Sequence, residues 1–302
     1  MNDSLRIEKL VEVLKEALYE DVGRIDLTTS YIVSKSLNVE ADIIVKQDGI
    51  VAGLPIIELL YSILDKKIAF KPVVKDSDKV YTGKTIAYLS GPAQPILTGE
   101  RVALNFLSHL SGIATLTRKY ADKVKDFDVK IRDTRKTTPA LRYVEKYAVR
   151  AGGGYNHRMG LYDGVLIKDN HLRCEKIAMM HDKVKDRSEI YMAVQKAKRD
   201  MQENTQIELE VENILQLKEA LKLEIDMILL DNMTVQDVKE AVKLRNEAAL
   251  ACAFKKKILF EVSGGITLEN VSEYAACGVE MISIGSLTHS APALDISLEI
   301  MK

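Results

Sequence analysis

The sequence predicts an α/β chain with a parallel sheet in its later half and a smaller α+β domain before it. Three observations carry this. From about residue 128 onward, six short apolar runs alternate with longer amphipathic segments. Each run ends in polar or glycine-rich sequence, and the first hundred or so residues lack that alternation. Alternation of this kind is the pattern of βα units whose strands are buried on both faces.

Taken in order, residues 1–20 place Leu5, Leu10, Val11, Leu14 and Leu18 at helical spacing among charges, which reads as an amphipathic helix and not as a secretory signal. Stretches 39–45 and 85–89 are β-like and are set off by Asp48-Gly49, Gly53 and Gly91-Pro92. Segment 99–120 repeats Ala103, Phe106, Leu107 and Leu110 at helix spacing, as a linker or interface helix would. The apolar runs then fall at 129–131, 164–167, 207–211, 227–230, 258–262 and 281–284, with helical segments at 235–253 and 268–276. Stretch 173–204 is rich in Lys, Arg and Glu and reads as solvated helix and loop. Six or seven strands fit an incomplete barrel as well as a full eightfold one. The domains are expected at 1–112 and 113–287, with 288–302 available to pack back on the first.

Composition narrows the function. The chain has 302 residues, 47% of them hydrophobic, enough for a substantial core. Its 43 basic and 44 acidic side chains nearly cancel, so no overall field draws it to nucleic acid or to an anionic membrane. No apolar run approaches the roughly 20 residues that span a bilayer. Cys174, Cys252 and Cys277 are odd in number and widely spaced, which fits reduced thiols acting as small buried hydrophobes in a cytoplasmic protein.

The chemistry lies at the strand ends, where barrels gather their functional groups. Arg135, Lys136, Arg142, Lys146, His157, Arg158 and Lys168 concentrate positive charge between 135 and 168. Guanidinium forks grip carboxylates or phosphates in bidentate fashion and lysine adds a point charge, so the group implies a ligand with several negative charges. Gly152-Gly153-Gly154, just before His157, is expected to let the backbone approach that ligand or adopt positive φ. Glu210 and Asp231 end two successive runs, and paired carboxylates beside an anion site point to Mg²⁺ holding a diphosphate. Ser263-Gly264-Gly265 and Gly285-Ser286 look like paired phosphate loops, with backbone N–H donors aided by a helix N-terminus.

The run Asp133-Thr134-Arg135-Lys136-Thr137-Thr138-Pro139 is followed by Arg142, Glu145-Lys146-Tyr147-Ala148-Val149, the three glycines, Asn156-His157-Arg158 and Lys168-Asp169-Asn170-His171. This block closely resembles the quinolinate phosphoribosyltransferase family, and supporting matches extend from Glu20-Asp21 to Thr288-His289-Ser290. The resemblance implies an open α/β barrel with an N-terminal α+β sandwich domain, and a homodimer, or a hexamer, with shared active sites. It implies that Arg101 enters the partner's site, that Arg135, His157, Arg158 and Lys168 hold the two carboxylates of quinolinate, and that Thr134 supports them. Lys136, Glu210 and Asp231 would face Mg²⁺ and the diphosphate of phosphoribosyl diphosphate. Ser263, Gly264, Gly265, Gly285 and His289 would surround the ribose 5-phosphate. Ile25 and Leu172 depart from the family pattern outside this pocket. A molybdenum-associated relative of the same fold, a Schiff-base lyase using Lys168 or Lys136, and a noncatalytic phosphometabolite binder are the competing readings. Lys168 disfavours the first, and the arginines with Glu210 and Asp231 disfavour the second.

Overall fold

The structure, a computed structural model, describes residues 7–182, 187–202, 205–251 and 257–301. Its strands, in chain order, are β1 (Asn38–Val45), β2 (Gly49–Ile50), β3 (Ala69–Pro72), β4 (Lys79–Val80), β5 (Thr85–Pro92), β6 (Lys130–Arg132), β7 (Val165–Ile167), β8 (Ile207–Val211), β9 (Met227–Asp231), β10 (Leu259–Ser263), β11 (Met281–Ser283) and β12 (Ile296–Ile300). Contacts divide the chain into two units, one of Met1–Lys119, Lys136–Gly154 and Gly285–Lys302, the other of Tyr120–Arg135 and Tyr155–Ile284.

The first unit is built on an antiparallel four-stranded sheet in the order β12-β1-β5-β3. The last strand of the chain pairs with the first, Val45 opposite Ile296 and Ala41 opposite Ile300. Along β1 the residues Ala41, Ile43 and Val45 are buried while their neighbours are not, the period-two pattern of a half-covered strand. Helix Ile7–Val22 buries Leu10, Leu14 and Leu18, as its spacing predicts. Helix Leu54–Leu64 has Pro55 in its first turn, where a missing N–H costs nothing, and Asp76 from a distant loop accepts the Gly53 and Leu54 N–H groups.

Helix Ala93–Lys123 begins six residues before the helix expected at 99 and passes out of this unit after Lys119. Its inward side meets Gly152 and Gly154. A Cβ on Gly152 would lie 2.5 Å from the Ala114 carbonyl oxygen and 2.6 Å from Thr117 Cβ, and one on Gly154 would lie 2.7 Å from Thr117 Cγ2. Only Gly153 has a positive φ, 91°. Gly152 and Gly154 therefore serve close packing on a helix, which corrects the expectation that they let the backbone approach a ligand.

The second unit holds a parallel six-stranded sheet in the order β6-β11-β10-β9-β8-β7. Tyr155 extends it by a single parallel bridge to Arg132, outside β6. The end strands β6 and β7 are not paired to each other, so the barrel is open. All five residues of β8 are buried, as in a strand covered on both faces. The described part of stretch 173–204 is mostly solvated helix and loop, as its composition implies. Its helices Asp169–His181 and Glu189–Asp200 bury Met179, Ile190 and Val194. Cys277 is buried but Cys174 is exposed, contrary to expectation, and Cys252 falls outside the described residues.

Gly152→Ala offers a direct check on the helix contact. The added methyl meets a backbone carbonyl that cannot rotate away, so the variant is expected to lose on the order of 1–3 kcal/mol of stability, read as a lowered Tm in thermal denaturation. An unchanged Tm would mean the helix does not approach this closely.

A carboxylate floor beneath paired arginines

Register places the chemistry of the second unit in two rows on one face of the parallel sheet. Glu210, Leu229, Glu261 and Met281 are level with one another, and Asp231, Ser263, Ser283 and Arg132 form the next row toward the strand C-termini. Because side chains alternate along a strand, Glu208 shares the face of Glu210, one step deeper. Ile207, Leu209 and Val211 point to the other face and are fully buried there.

The floor of this face is ionic. Glu208 is 4% exposed and Glu261 is fully buried. Arg132 Nη1 lies 2.5 Å from Glu261 Oε2, and His157 Nε2 lies 3.3 Å from Glu208 Oε2 and 3.5 Å from Glu261 Oε1. Burial pushes the Glu208 carboxyl up to about 7, against the pull of Arg132, Arg158 and Lys168. Burial and the neighbouring Glu208 push Glu261 in the same direction, opposed by Arg132 and His157. His157, Glu208 and Glu261 could geometrically converge on a metal ion, but Arg132 already supplies positive charge to Glu261.

The wall above is positive. Asp133, fully buried just beyond β6, accepts from the Asn156 amide at 2.5 Å and from the His157 N–H at 2.8 Å. It thus holds the 155–158 segment alongside β6. The Arg158 N–H donates to His157 Nδ1 at 2.7 Å, which leaves the ring proton on Nε2, facing the glutamates. His157 in this arrangement supports Arg158 and the floor. Arg158 Nη1 donates to the Gly164 carbonyl at 2.7 Å. Burial, and then the charge of nearby Arg135, draw the Arg158 guanidinium below its ordinary value. Glu208 and Asp163 pull it the other way, so Arg158 stands among charges of both signs. Lys168, 43% exposed, follows β7 and is ion-paired with Glu210, whose side chain is 8% exposed.

Asp231 ends β9 and accepts from the Asn232 amide at 2.7 Å. Asn232 takes a left-handed φ of 54°, and a Cβ on Gly264 would sit 2.2 Å from its Oδ1, so only glycine lets the loops after β9 and β10 meet. Gly264 and Gly265 have φ of 92° and 64°, so this loop turns through left-handed backbone that residues with a Cβ rarely adopt. The helices after the two glycine loops, Val271–Ala275 and Ser286–His289, have five and four residues. Helices of a single turn have little dipole to offer, so the expected help from a helix N-terminus is withdrawn and the loop N–H groups remain.

The first unit carries its own group of expected residues. Lys136 Cδ and the His289 ring lie 3.0 and 3.3 Å from where a Gly285 Cβ would be, so a bare backbone lets both side chains cross it. Thr288 Oγ1 donates to the Lys136 carbonyl at 2.7 Å. Arg101 is exposed on helix Ala93–Lys123. Two further members of the expected basic cluster lie in this unit: Lys146 is fully buried, and Arg142 donates from Nε to Thr137 Oγ1 at 2.9 Å. Sequence reasoning missed Arg132, Asp133 and Glu261 as site residues. The available signal was an acid or base interrupting an apolar run, at Glu261 within β10 and at Arg132 after Ile131.

Comparison with known proteins agrees in both units. Family models for the quinolinate phosphoribosyl transferase N-terminal and C-terminal domains match residues 26–111 and 113–299. A probable nicotinate-nucleotide pyrophosphorylase (carboxylating) of Bacillus subtilis (strain 168) is 42% identical over 97% of this chain and 93% of its own. The protein of the same description from Methanocaldococcus jannaschii is 39% identical over 97% of each chain. Among solved structures, NadC from Streptococcus pyogenes has a TM-score of 0.87 at 35% identity, covering 99% of both chains. Nicotinate-nucleotide pyrophosphorylase from Ehrlichia chaffeensis has a TM-score of 0.85 at 37% identity, covering 96% of this chain and 98% of its own.

Glu208 makes stability depend on pH. Its value rises from 4.5 for an ordinary glutamate to about 7 in the fold, so the folded chain keeps a proton that the unfolded chain releases between those values. Stability from this group is complete below the lower value and is lost as pH rises through the upper one. Glu208→Gln, neutral throughout, is expected to flatten that fall in melts run from about pH 4 to pH 8. An undiminished slope would show that Glu208 is ionised in the fold.

Proposed function

This chain belongs to the quinolinate phosphoribosyltransferase family, and on that premise we propose that it transfers a phosphoribosyl group from phosphoribosyl diphosphate to the ring nitrogen of quinolinate. Loss of the adjacent carboxylate as CO₂ then leaves nicotinate mononucleotide and diphosphate. The observation that carries this reading is the pairing of Arg135 and Arg158 over a floor of buried glutamates, with Lys168 beside them. Such a wall suits a small rigid dianion. Quinolinate brings two neighbouring carboxylates, and Arg135, Arg158 and Lys168 supply the bases to hold them, with Thr134 and His157 as supports.

Glycosyl transfer builds positive charge at the anomeric carbon as diphosphate departs. Held by its carboxylates, quinolinate presents its nitrogen to that carbon, an effect of orientation that needs no covalent enzyme intermediate. Lys136 supplies positive charge to the leaving diphosphate. Gly285 and His289, grouped with Lys136 in the first unit, are assigned to the phosphates of the donor, as are Ser263, Gly264 and Gly265 in the second. Once the nitrogen is alkylated, its positive charge stabilises the electron pair that stays on the adjacent ring carbon when the C–C bond to CO₂ breaks, and that pair then takes a proton.

Glu210 and Asp231 fit Mg²⁺, which takes hard oxygen ligands from a few carboxylates along with phosphate and water. Both carboxylates lie on one face of neighbouring strands, toward the C-terminal ends. When bound, Mg²⁺ would neutralise charge on the diphosphate. A homodimer, or a hexamer built from it, in which the exposed Arg101 serves the partner's site belongs to the same reading, as does a cytoplasmic location. Among the described residues no helix is long and apolar enough to cross a membrane.

Purified protein with quinolinate, phosphoribosyl diphosphate and Mg²⁺ is expected to yield nicotinate mononucleotide and CO₂, measured by chromatography and mass. Nicotinate in place of quinolinate should give no product, and a chelator should abolish turnover. Lys136→Ala is expected to lower kcat by roughly 100-fold or more. Product from nicotinate, or full activity in the alanine variant, would contradict these assignments.

A further inference from the structure

Lys136 begins a turn, 136–141, that is fastened at successive residues within the first unit. Thr288 holds the Lys136 carbonyl, and Arg142 holds the Thr137 hydroxyl. The Thr138 N–H donates to Glu145 Oε2 at 3.1 Å, and the other carboxylate oxygen of Glu145 lies 2.9 Å from His109 Nε2 on helix Ala93–Lys123. Ala140, in the same turn, adopts a left-handed φ of 64°. A residue with a Cβ keeps that conformation only where its surroundings over-determine it. Glu145 has no exposed surface, and a carboxylate is expensive to bury unless its hydrogen bonds do something an apolar side chain could not.

We propose that Glu145 and His109 are positioning residues for Lys136: through the Thr138 N–H they fix the turn from which the lysine reaches the leaving diphosphate. The inference rests on the role given above to Lys136. Glu145 touches no substrate in it. Its carboxylate has one oxygen for the turn and one for the helix, so the helix anchors the turn through two hydrogen bonds in series. A displacement of an ångström at a catalytic group can cost about 100-fold in rate, so a clamp two residues away has leverage. None of the clamp's hydrogen bonds is made to Arg158 or Lys168, so the KM for quinolinate is expected to hold while kcat falls.

The test is a double-mutant cycle on the full-length protein. Glu145→Leu is expected to lower kcat about 30-fold while leaving the KM for quinolinate within about twofold. Glu145→Gln, whose carbonyl can still accept from Thr138 while its amide donates to the other tautomer of His109, should stay within about threefold of the parent. In a Lys136→Ala background, Glu145→Leu should cost nothing further, because the clamp acts only through the lysine. Should Glu145→Leu fail to fold, His109→Leu, at a partly exposed helix position, enters the same cycle with an expected loss of about fivefold. Losses that add in the double variant, a raised KM for quinolinate, or a glutamine no better than leucine would overturn the clamp while leaving the role of Lys136 intact. A harmless Lys136→Ala would instead remove the reading on which the clamp stands.

Discussion

Burying charge inside a parallel sheet is the constraint to which the second unit answers. Glu208 and Glu261 sit where a barrel normally packs Val, Leu or Ile, and a lone carboxylate there would not stay ionised. Arg132 answers Glu261 directly, His157 stands between the two glutamates, and Glu208 holds a proton into the neutral range. Each answer then constrains something else. His157 can stand there only because Asp133 holds its backbone, and Arg158 takes its place from the same short segment. Across this face Arg132, Arg135, Arg158 and Lys168 match Glu208, Glu210, Glu261 and Asp231 in number, and the proton on Glu208 tips the balance towards positive charge. The surplus is what an anionic ligand meets.

The parts of this arrangement that were legible in the sequence are those set by local pattern. Apolar runs bounded by glycine or charge marked β6 to β11 to within two residues at each end, because a strand buried on both faces cannot continue through polar sequence. Lys136 and Gly285 were named from charge and glycine pattern and His289 through family resemblance, and the fold brings the lysine and the histidine together across the bare glycine. Other features depend on register and on distant partners. Nothing local distinguishes Glu208, facing the floor, from a salt-bridged surface residue, and Arg132 finds Glu261 only once β11 lies between their strands. The two-residue strands β2 and β4 are too short to show a period. Gly152 and Gly154 looked like loop flexibility because the helix they pack against lies some 35 residues earlier. The helix termini expected at the phosphate loops shrank to single turns, since helix length there is decided by packing and not by the glycines that precede it.

The two units also differ in how the chain composes them. The parallel sheet is complete once residue 284 is reached, with all six strands drawn from 130–283. The antiparallel unit is assembled from three separate stretches, and its edge strand β12 is the last element of the chain. During synthesis, β1 therefore waits with one edge bare while some 250 residues are added. Turn 136–141 and the Gly285 region belong to this late-closing unit. Order of manufacture thus runs opposite to order along the chain: the domain begun first is sealed last, and a ribosome that stops just short of β12 releases a protein with its carboxylate floor in place and its opening strand uncovered.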